Sequence, residues 1–252
     1  MNDIPLVSIV TPCYNAELFI EETIKSVLAQ TCKRWEMIVV DDGSIDQSLE
    51  IIRAYARKDN RIKLITNDSN KGAANSRNVA IKSARGRYIA FLDSDDVWHP
   101  KKLEKQLALM RNKNVPMSYT AYHTTDKHSR ITALHPVEEK VSHSKLLKNP
   151  SMIGTLTMIY DTQKLGKIFF KQIGHEDYIV KLEILKKIDF AVGINEPLAQ
   201  YRIHNNSLSS NKFAAAKWVW DIYRQSENLS LPKSIFYFLH YGYYSLTKYK
   251  KP

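Results

Sequence analysis

VVDDGSID (Val39–Asp46) decides the fold, together with its counterpart YIAFLDSDDVW (Tyr88–Trp98). In both, apolar residues run straight into a cluster of carboxylates. Apolar runs without polar alternation suit strands that are covered on both faces. LVSIVTPCY (6–14) reads as a first strand closed by Pro12, RWEMIVV (34–40) as a second, RIKLIT (61–66) as a third and RYIAFL (87–92) as a fourth. Between them Ile20, Ile24, Val27 and Leu28 recur at helical spacing. Ser44 and Gln47 form a capping-box pattern ahead of an Ile45, Leu49, Ile52 stripe, and residues 73–85 read as an Ala-rich helix stopped by Gly86. This alternation predicts a parallel α/β sheet with helices on both sides. In open sheets of that type, ligands bind beyond the carboxyl ends of the strands. Asp41, Asp42, Asp93, Asp95 and Asp96 are therefore expected to face one crevice.

After residue 100 the rhythm changes. KKLEKQLALM (101–110) is a basic amphipathic helix, and VPMSYTAYHTT (115–125) and RITALHP (130–136) read as antiparallel strands turning at Asp126 and Lys127. A short helix is expected over 143–148, a strand over 154–160, a helix after GHEDY (174–178), and a strand with a polar loop over 191–207. Residues 213–252 read as helical.

The 252 residues suffice for one sizeable core or one domain with an appendage. The net charge of +11 fits an anionic partner, whether nucleic acid, anionic membrane or phosphorylated substrate. Cys13 and Cys32 form no metal pattern and read as free thiols suited to the cytosol. The N-terminus does not read as a signal peptide, and no apolar stretch is long enough to span a bilayer.

Clustered carboxylates at a strand tip repel one another, and a hard divalent ion, Mn²⁺ or Mg²⁺, relieves that repulsion when substrate phosphates share it. The alternative for DSDD is an Asp-rich turn before the next helix, and for Asp42 a helix cap. Glu176 and Asp177 fall at a helix N-terminus, where acids are stabilised anyway; in a cleft beside a metal-bound phosphate, one of them is a general base. Arg202, His204 and Ser207 lie in a polar loop, and Arg suits phosphate oxygens.

Taken together, VSIVTPCYN (7–15), VVDDGSID (39–46), NKGAANSRN (70–78), YIAFLDSDD (88–96), HED (175–177) and YRIHNNSLS (201–209) resemble family 2 inverting glycosyltransferases of the GT-A fold, with a look of bacterial teichuronic-acid and O-antigen transferases. The resemblance implies a Rossmann-like, mostly parallel sheet over 1–210, with a nucleotide-binding half (1–100), an acceptor half (101–210) and a helical extension (211–252). It implies a UDP-sugar donor, a glycan or lipid-linked glycan acceptor, and a cytoplasmic setting at the inner face of the membrane. Thr11, Pro12 and Tyr14 would line the nucleotide cleft; Asp41, Asp42 and Arg77 would hold the base; Asp93 and Ser94 would lie at the donor. Asp95, with Asp93, would bind the metal. Asp177 would be the catalytic base with Glu176 beside it. Arg202 and Ser207 would bind the diphosphate, and His204 would be a further metal or phosphate contact.

Two rivals explain less. A nucleotidyltransferase needs a Gly-rich, basic phosphate loop after the first strand, which TPCYN does not supply. A nucleic-acid binder, suggested by charge alone, leaves acids where phosphate would sit. The tail from Asn228 to Pro252 holds seven aromatic residues, four lysines and no acid. It reads either as a helix packing on the domain or as one docking at a membrane interface.

Overall fold

A computed structural model describes residues 5–171, 174–203 and 212–247. The first half alternates as the sequence predicts: β1 (Val7–Cys13), α1 (Ile20–Leu28), β2 (Trp35–Asp41), α2 (Ser48–Lys58), β3 (Ile62–Thr66), α3 (Ala73–Ser83) and β4 (Tyr88–Phe91). There follow β5 (Val97–Trp98), α4 (Lys102–Asn112), β6 (Met117–Thr125), β7 (Ile131–His135), β8 (Lys140–Val141) and α5 (His143–Lys148). The chain continues through β9 (Ile159–Asp161), α6 (Thr162–Leu165), α7 (Glu176–Leu185), β10 (Ala191–Arg202), α8 (Lys212–Asp221) and α9 (Leu231–Thr247).

One mixed sheet runs β3-β2-β1-β4-β9-β6-β10-β5, with β7 on β6 and β8 on β10. β1 pairs in parallel with both β2 and β4, and β2 with β3. β9 then enters antiparallel between β4 and β6, and β10 runs parallel to β6. Along the main path only β9 and β5 run against the rest, so the sheet is mostly parallel.

Successive strand residues point to opposite faces, and both faces carry a hydrophobic cluster. Val10, Ile38, Val40, Ile89 and Phe91 pack beneath α3, α5 and α7. Val7, Ile9, Met37, Val39, Ala90 and Leu92 pack beneath α1, α2 and α4. That is why the strands read as unbroken apolar runs. The C-terminal helices join the first cluster through Val219, Ile222 and Tyr223. Among the described residues no helix is long and apolar enough to cross a membrane.

Four local readings need correction. α2 begins at Ser48 rather than beside Ser44. Ser44 Oγ is taken by the Asn15 N–H, Asp46 accepts from the Ser48 N–H, and Ile45 points to solvent. β1 is not closed by Pro12 but runs through it to Cys13. Residues 155–157 make a 3₁₀ turn rather than strand, because the Gly154 carbonyl accepts both the backbone N–H and the hydroxyl of Thr157. Gly86 is no helix stop, since α3 ends at Ser83. It is glycine because a Cβ there would lie 2.6 Å from Ser8 N and 2.7 Å from Val7 C.

Both clashing atoms at Gly86 are backbone of the central strand and cannot swing aside. Gly86→Ala should therefore destabilise the protein by about 1–3 kcal/mol, as overpacking does. Urea unfolding checks this, and an unchanged midpoint would show that β1 yields.

Candidate active site

The carboxyl ends of β1, β2 and β4 lie side by side, and the loops leaving them are laced to one another. The Asn15 and Ala16 N–H groups donate to Ser44 Oγ (3.0 Å) and Ser48 Oγ (2.7 Å). In return the Ile45 and Gln47 N–H groups donate to Asn15 Oδ1 (3.0 Å) and Glu17 Oε2 (2.9 Å). Thr11 is buried and its hydroxyl has no partner, while Tyr14 stands exposed at the rim. Pro12 sits between them as part of β1. The Cys13 thiol is pushed up to about 12, first by burial and then by Asp41, so it is not a nucleophile.

Asp41 and Asp42 are both buried and do different work. Asp41 accepts the Ser44 N–H at 3.1 Å with one oxygen, and its other oxygen is unpartnered. Asp42 accepts from Asn67 Nδ2 (2.6 Å), the Lys71 N–H (3.1 Å) and the Gly72 N–H (2.8 Å). It thus holds the loop that enters α3 from a neighbouring strand, and places negative charge near that helix's N-terminus. Asp42 does not cap α2, the helix that follows it in sequence.

The DSDD turn is held from beneath. Thr23 Oγ1 donates to the carbonyls of Asp96 (2.8 Å) and Ser94 (3.0 Å). Asp96 is fully buried; one oxygen accepts the Arg202 N–H at 3.0 Å and the other has no partner. Burial, with Asp95 and Asp93 nearby, pushes its carboxyl well above the ordinary range. Arg202 at the end of β10 donates to the Asp95 carbonyl (2.9 Å), to Glu22 (2.7 Å) and to Ser129 (3.0 Å), and its guanidinium lies over Phe19. Its side chain is buried, so it ties α1, the β6–β7 hairpin and the acid turn together. His204 and Ser207 lie outside the described residues.

The distant acid arrives through Arg77. Projecting from α3, its guanidinium donates to Asp93 Oδ1 at 2.7 Å and to Asp177 Oδ1 at 3.1 Å, and it lies over the Phe170 ring. Asp93 is 16 residues from Arg77 in sequence, and Asp177 is 100. Asp177 sits in the first turn of α7, behind two left-handed residues, Gly174 and His175. Its second oxygen accepts from Thr155 Oγ1 at 3.1 Å. One turn on, the buried Lys181 ammonium is held by the Ile153 carbonyl at 2.9 Å.

Burial alone would raise the Asp177 carboxyl. Arg77, Lys181 and the Thr155 hydrogen bond outweigh it, and the group lies below its ordinary value. Asp93 goes the other way: burial, Asp177 and Asp95 raise it against the pull of Arg77. Glu176 is half-buried in the same first turn and adds to the field on Arg77.

Among the described residues no three His, Cys, Asp or Glu side chains already form a metal cage. The donor chemistry nonetheless fits a hard divalent ion. Asp93 and Asp96 are held back from ionising by their acidic neighbours, and Asp96 keeps a buried oxygen without a partner. A cavity of about 520 Å³ lined by Trp98, His99, His123, Glu196 and Gln200 shares no residue with the acid cluster.

Thr155, Lys181, Glu22 and Phe19 were not singled out in the sequence. Lys181 alone had a signal, its i+4 spacing from Asp177 on α7. The others meet the site only through tertiary packing.

Removing one member of a fully buried ion network typically costs about 3–5 kcal/mol, but the Asp177 side chain is 40% exposed and solvent screens its pairing. Arg77→Met should therefore lose about 1–3 kcal/mol at neutral pH. Without the guanidinium, Asp93, already above its ordinary value, rises further, and Asp177 loses the main pull that holds it below its own, so that burial raises it. Protonation then favours the folded variant, so its deficit against wild type should narrow between about pH 7 and about pH 4.5. Urea titrations at both pH values read this; a deficit independent of pH would mean the guanidinium does not hold ionised carboxylates.

Comparison with known proteins places this arrangement. The family model described as glycosyl transferase family 2 matches residues 8–167. A Bacillus subtilis (strain 168) protein, TuaG, whose name assigns it to teichuronic acid biosynthesis, is 42% identical over 240 residues, covering 94% of this chain and 95% of its own. An Escherichia coli protein named UDP-Glc:alpha-D-GlcNAc-diphosphoundecaprenol beta-1,3-glucosyltransferase WfgD is 41% identical over 237 residues, covering 94% of this chain and 92% of its own. Among solved structures, S. aureus TarS 1–349 with UDP-GlcNAc superposes with a TM-score of 0.71 at 22% identity, over 87% of this chain and 66% of that one. The last likeness concerns the fold, which is GT-A. The family match and the two relatives together show that the chain belongs to glycosyl transferase family 2 and is a glycosyltransferase.

Proposed function

We propose that the enzyme moves a sugar from a UDP-sugar to a hydroxyl of a lipid-linked glycan acceptor, in one displacement that inverts the anomeric carbon, with Asp177 as base. The observation that carries this reading is the Arg77 bridge, which brings Asp93 of the DSDD turn and Asp177 of α7 onto one guanidinium. The printed substrates of the E. coli relative, UDP-Glc and a GlcNAc-diphosphoundecaprenol, support the donor and acceptor classes.

Asp177 works as base because Arg77, Lys181 and Thr155 keep it ionised, with one oxygen fixed by Arg77 and the other by Thr155. A carboxylate so held can take the acceptor proton as the hydroxyl attacks, a contribution of about 10²–10⁴-fold. Glu176 holds the sugar or acceptor beside it. Thr11, Pro12 and Tyr14 form the nucleoside wall. Asp41, whose free oxygen is buried there, accepts from the base or ribose, and Asp42 keeps α3 in place behind it. Asp95 with Asp93 would hold Mn²⁺ or Mg²⁺, and Ser94 lies between them. That ion would offset the negative charge that grows on the leaving diphosphate. Arg202 fixes the backbone of Asp95 and the carboxylate of Asp96, and so sets the shape of that end of the site.

Two measurements test the chemistry. Asp177→Asn keeps the hydrogen-bonding shape but cannot accept the proton. Its kcat should fall by roughly 10²–10⁴-fold while UDP still raises Tm in the presence of Mn²⁺, as a ligand of the native state must. Turnover near wild type would remove Asp177 from the role. Separately, EDTA or Asp95→Ala should abolish UDP-sugar turnover, with Mn²⁺ restoring only the wild type; metal-independent turnover would refute the metal-assisted step.

A further inference from the structure

Among the described residues, one apolar face of the last helix is packed on the domain and the other is largely exposed. On the inward side Ser234, Tyr237, Phe238 and Tyr241 pack against the core and against α8, with Phe238 edge-on to Trp220 at 5.4 Å. On the other side Leu231, Ile235, Leu239 and Tyr243 recur every four residues, joined by Phe236 and Leu246. At 3.6 residues per turn these share one face. Leu239 is 67% exposed, Tyr243 64% and Leu246 73%. A surface helix ordinarily turns charged residues outward. In α9 the only charged side chain at neutral pH is Lys233.

We propose that this outward face docks on an anionic lipid surface. Charge selects that occupant over a second copy of the chain. The sequence from Asn228 onward has four lysines and no acid, and the chain carries +11. Beside the face, Lys148 of α5 holds its ammonium 5.4 Å from the Phe236 ring, and Lys233 is exposed at its edge. Two such faces brought together would oppose like charges, whereas an anionic headgroup layer is complementary and each lysine near it adds attraction. The apolar residues would enter the headgroup–acyl boundary, with tyrosine well suited to that depth. α9 lies along the surface rather than across the bilayer, since its other face is already packed in protein.

The surface is coupled to the site. α8, against which α9 packs, sets Trp218 edge-on to His175 at 4.4 Å, and His175 immediately precedes Glu176 and Asp177. A docked α9 therefore places the first turn of α7 one helix away from the lipid.

The test is co-sedimentation of the full chain with vesicles of phosphatidylcholine alone, or with about 30% phosphatidylglycerol, where the surface potential is substantial. It needs no donor or turnover, so its outcome is independent of the proposed transfer chemistry. Wild type should sediment with the anionic vesicles and be released by high salt. Leu231→Gln/Leu239→Gln/Leu246→Gln should bind at least roughly tenfold more weakly while keeping its melting curve, because all three side chains are more than half exposed. Lys148→Ala/Lys233→Ala should lose several-fold, selectively on anionic vesicles, which keeps the proposal falsifiable if the triple variant misfolds. Wild type left in the supernatant, or both variants partitioning like wild type, would overturn it. So would a dimer in light scattering that the triple variant converts to monomer, since that would make the face a self-interface.

Discussion

Three side chains drawn from three regions of the chain share one buried charge. Arg77 carries two carboxylates, Asp93 at 2.7 Å and Asp177 at 3.1 Å. The two carboxylates would repel each other without it, and partial burial raises both. A lysine could not substitute, since a single ammonium lacks the planar fork that meets two carboxylates in separate directions. The guanidinium is itself kept in place by the Phe170 ring on its face and by α3, whose entering residues Lys71 and Gly72 are held by the Asp42 carboxylate. The geometry of Asp177 is thus set by a chain of contacts that begins on a central strand.

The rest of the site is held mainly through backbone. Thr23 grips the carbonyls of the acid turn from below, and Arg202, at the end of β10, binds the Asp95 carbonyl through its side chain and the Asp96 carboxylate through its backbone N–H. The β1 and β2 loops exchange hydrogen bonds in both directions. Such reciprocal bonding fixes the positions of the acidic side chains in advance, which is the condition for preorganised electrostatics.

Much of this was legible in the sequence because its causes are local. The apolar runs, the intervening helical stripes and the acids at strand ends follow from period and from the both-sided covering of the sheet. What could not be read was set by contacts across the chain. The Ser44–Gln47 pair has the spacing of a capping box, yet Ser44 is claimed by Asn15 from another loop. Gly86 looks like a helix stop, but its lack of a side chain serves the approach of β1. Asp42 looks like a cap for the helix after it but holds the loop that leads into a different one. Asp177 was legible by its motif, but its partners Arg77 and Thr155 come from elements with no sequence link to it. The tail offered two readings, packed or exposed, and the helix presents a face for each.

The Arg77 bridge also bears on how such enzymes diversify. The residue that keeps Asp177 charged comes from α3, in the first half of the chain, while Asp177 itself belongs to the later segment. Exchange of that later segment with a relative of different acceptor preference would import an acid whose ionisation depends on a guanidinium it did not bring. Recombination at the midpoint of the chain is therefore constrained by charge as well as by packing, and successful hybrids must preserve α3 and the start of α7 as a matched pair.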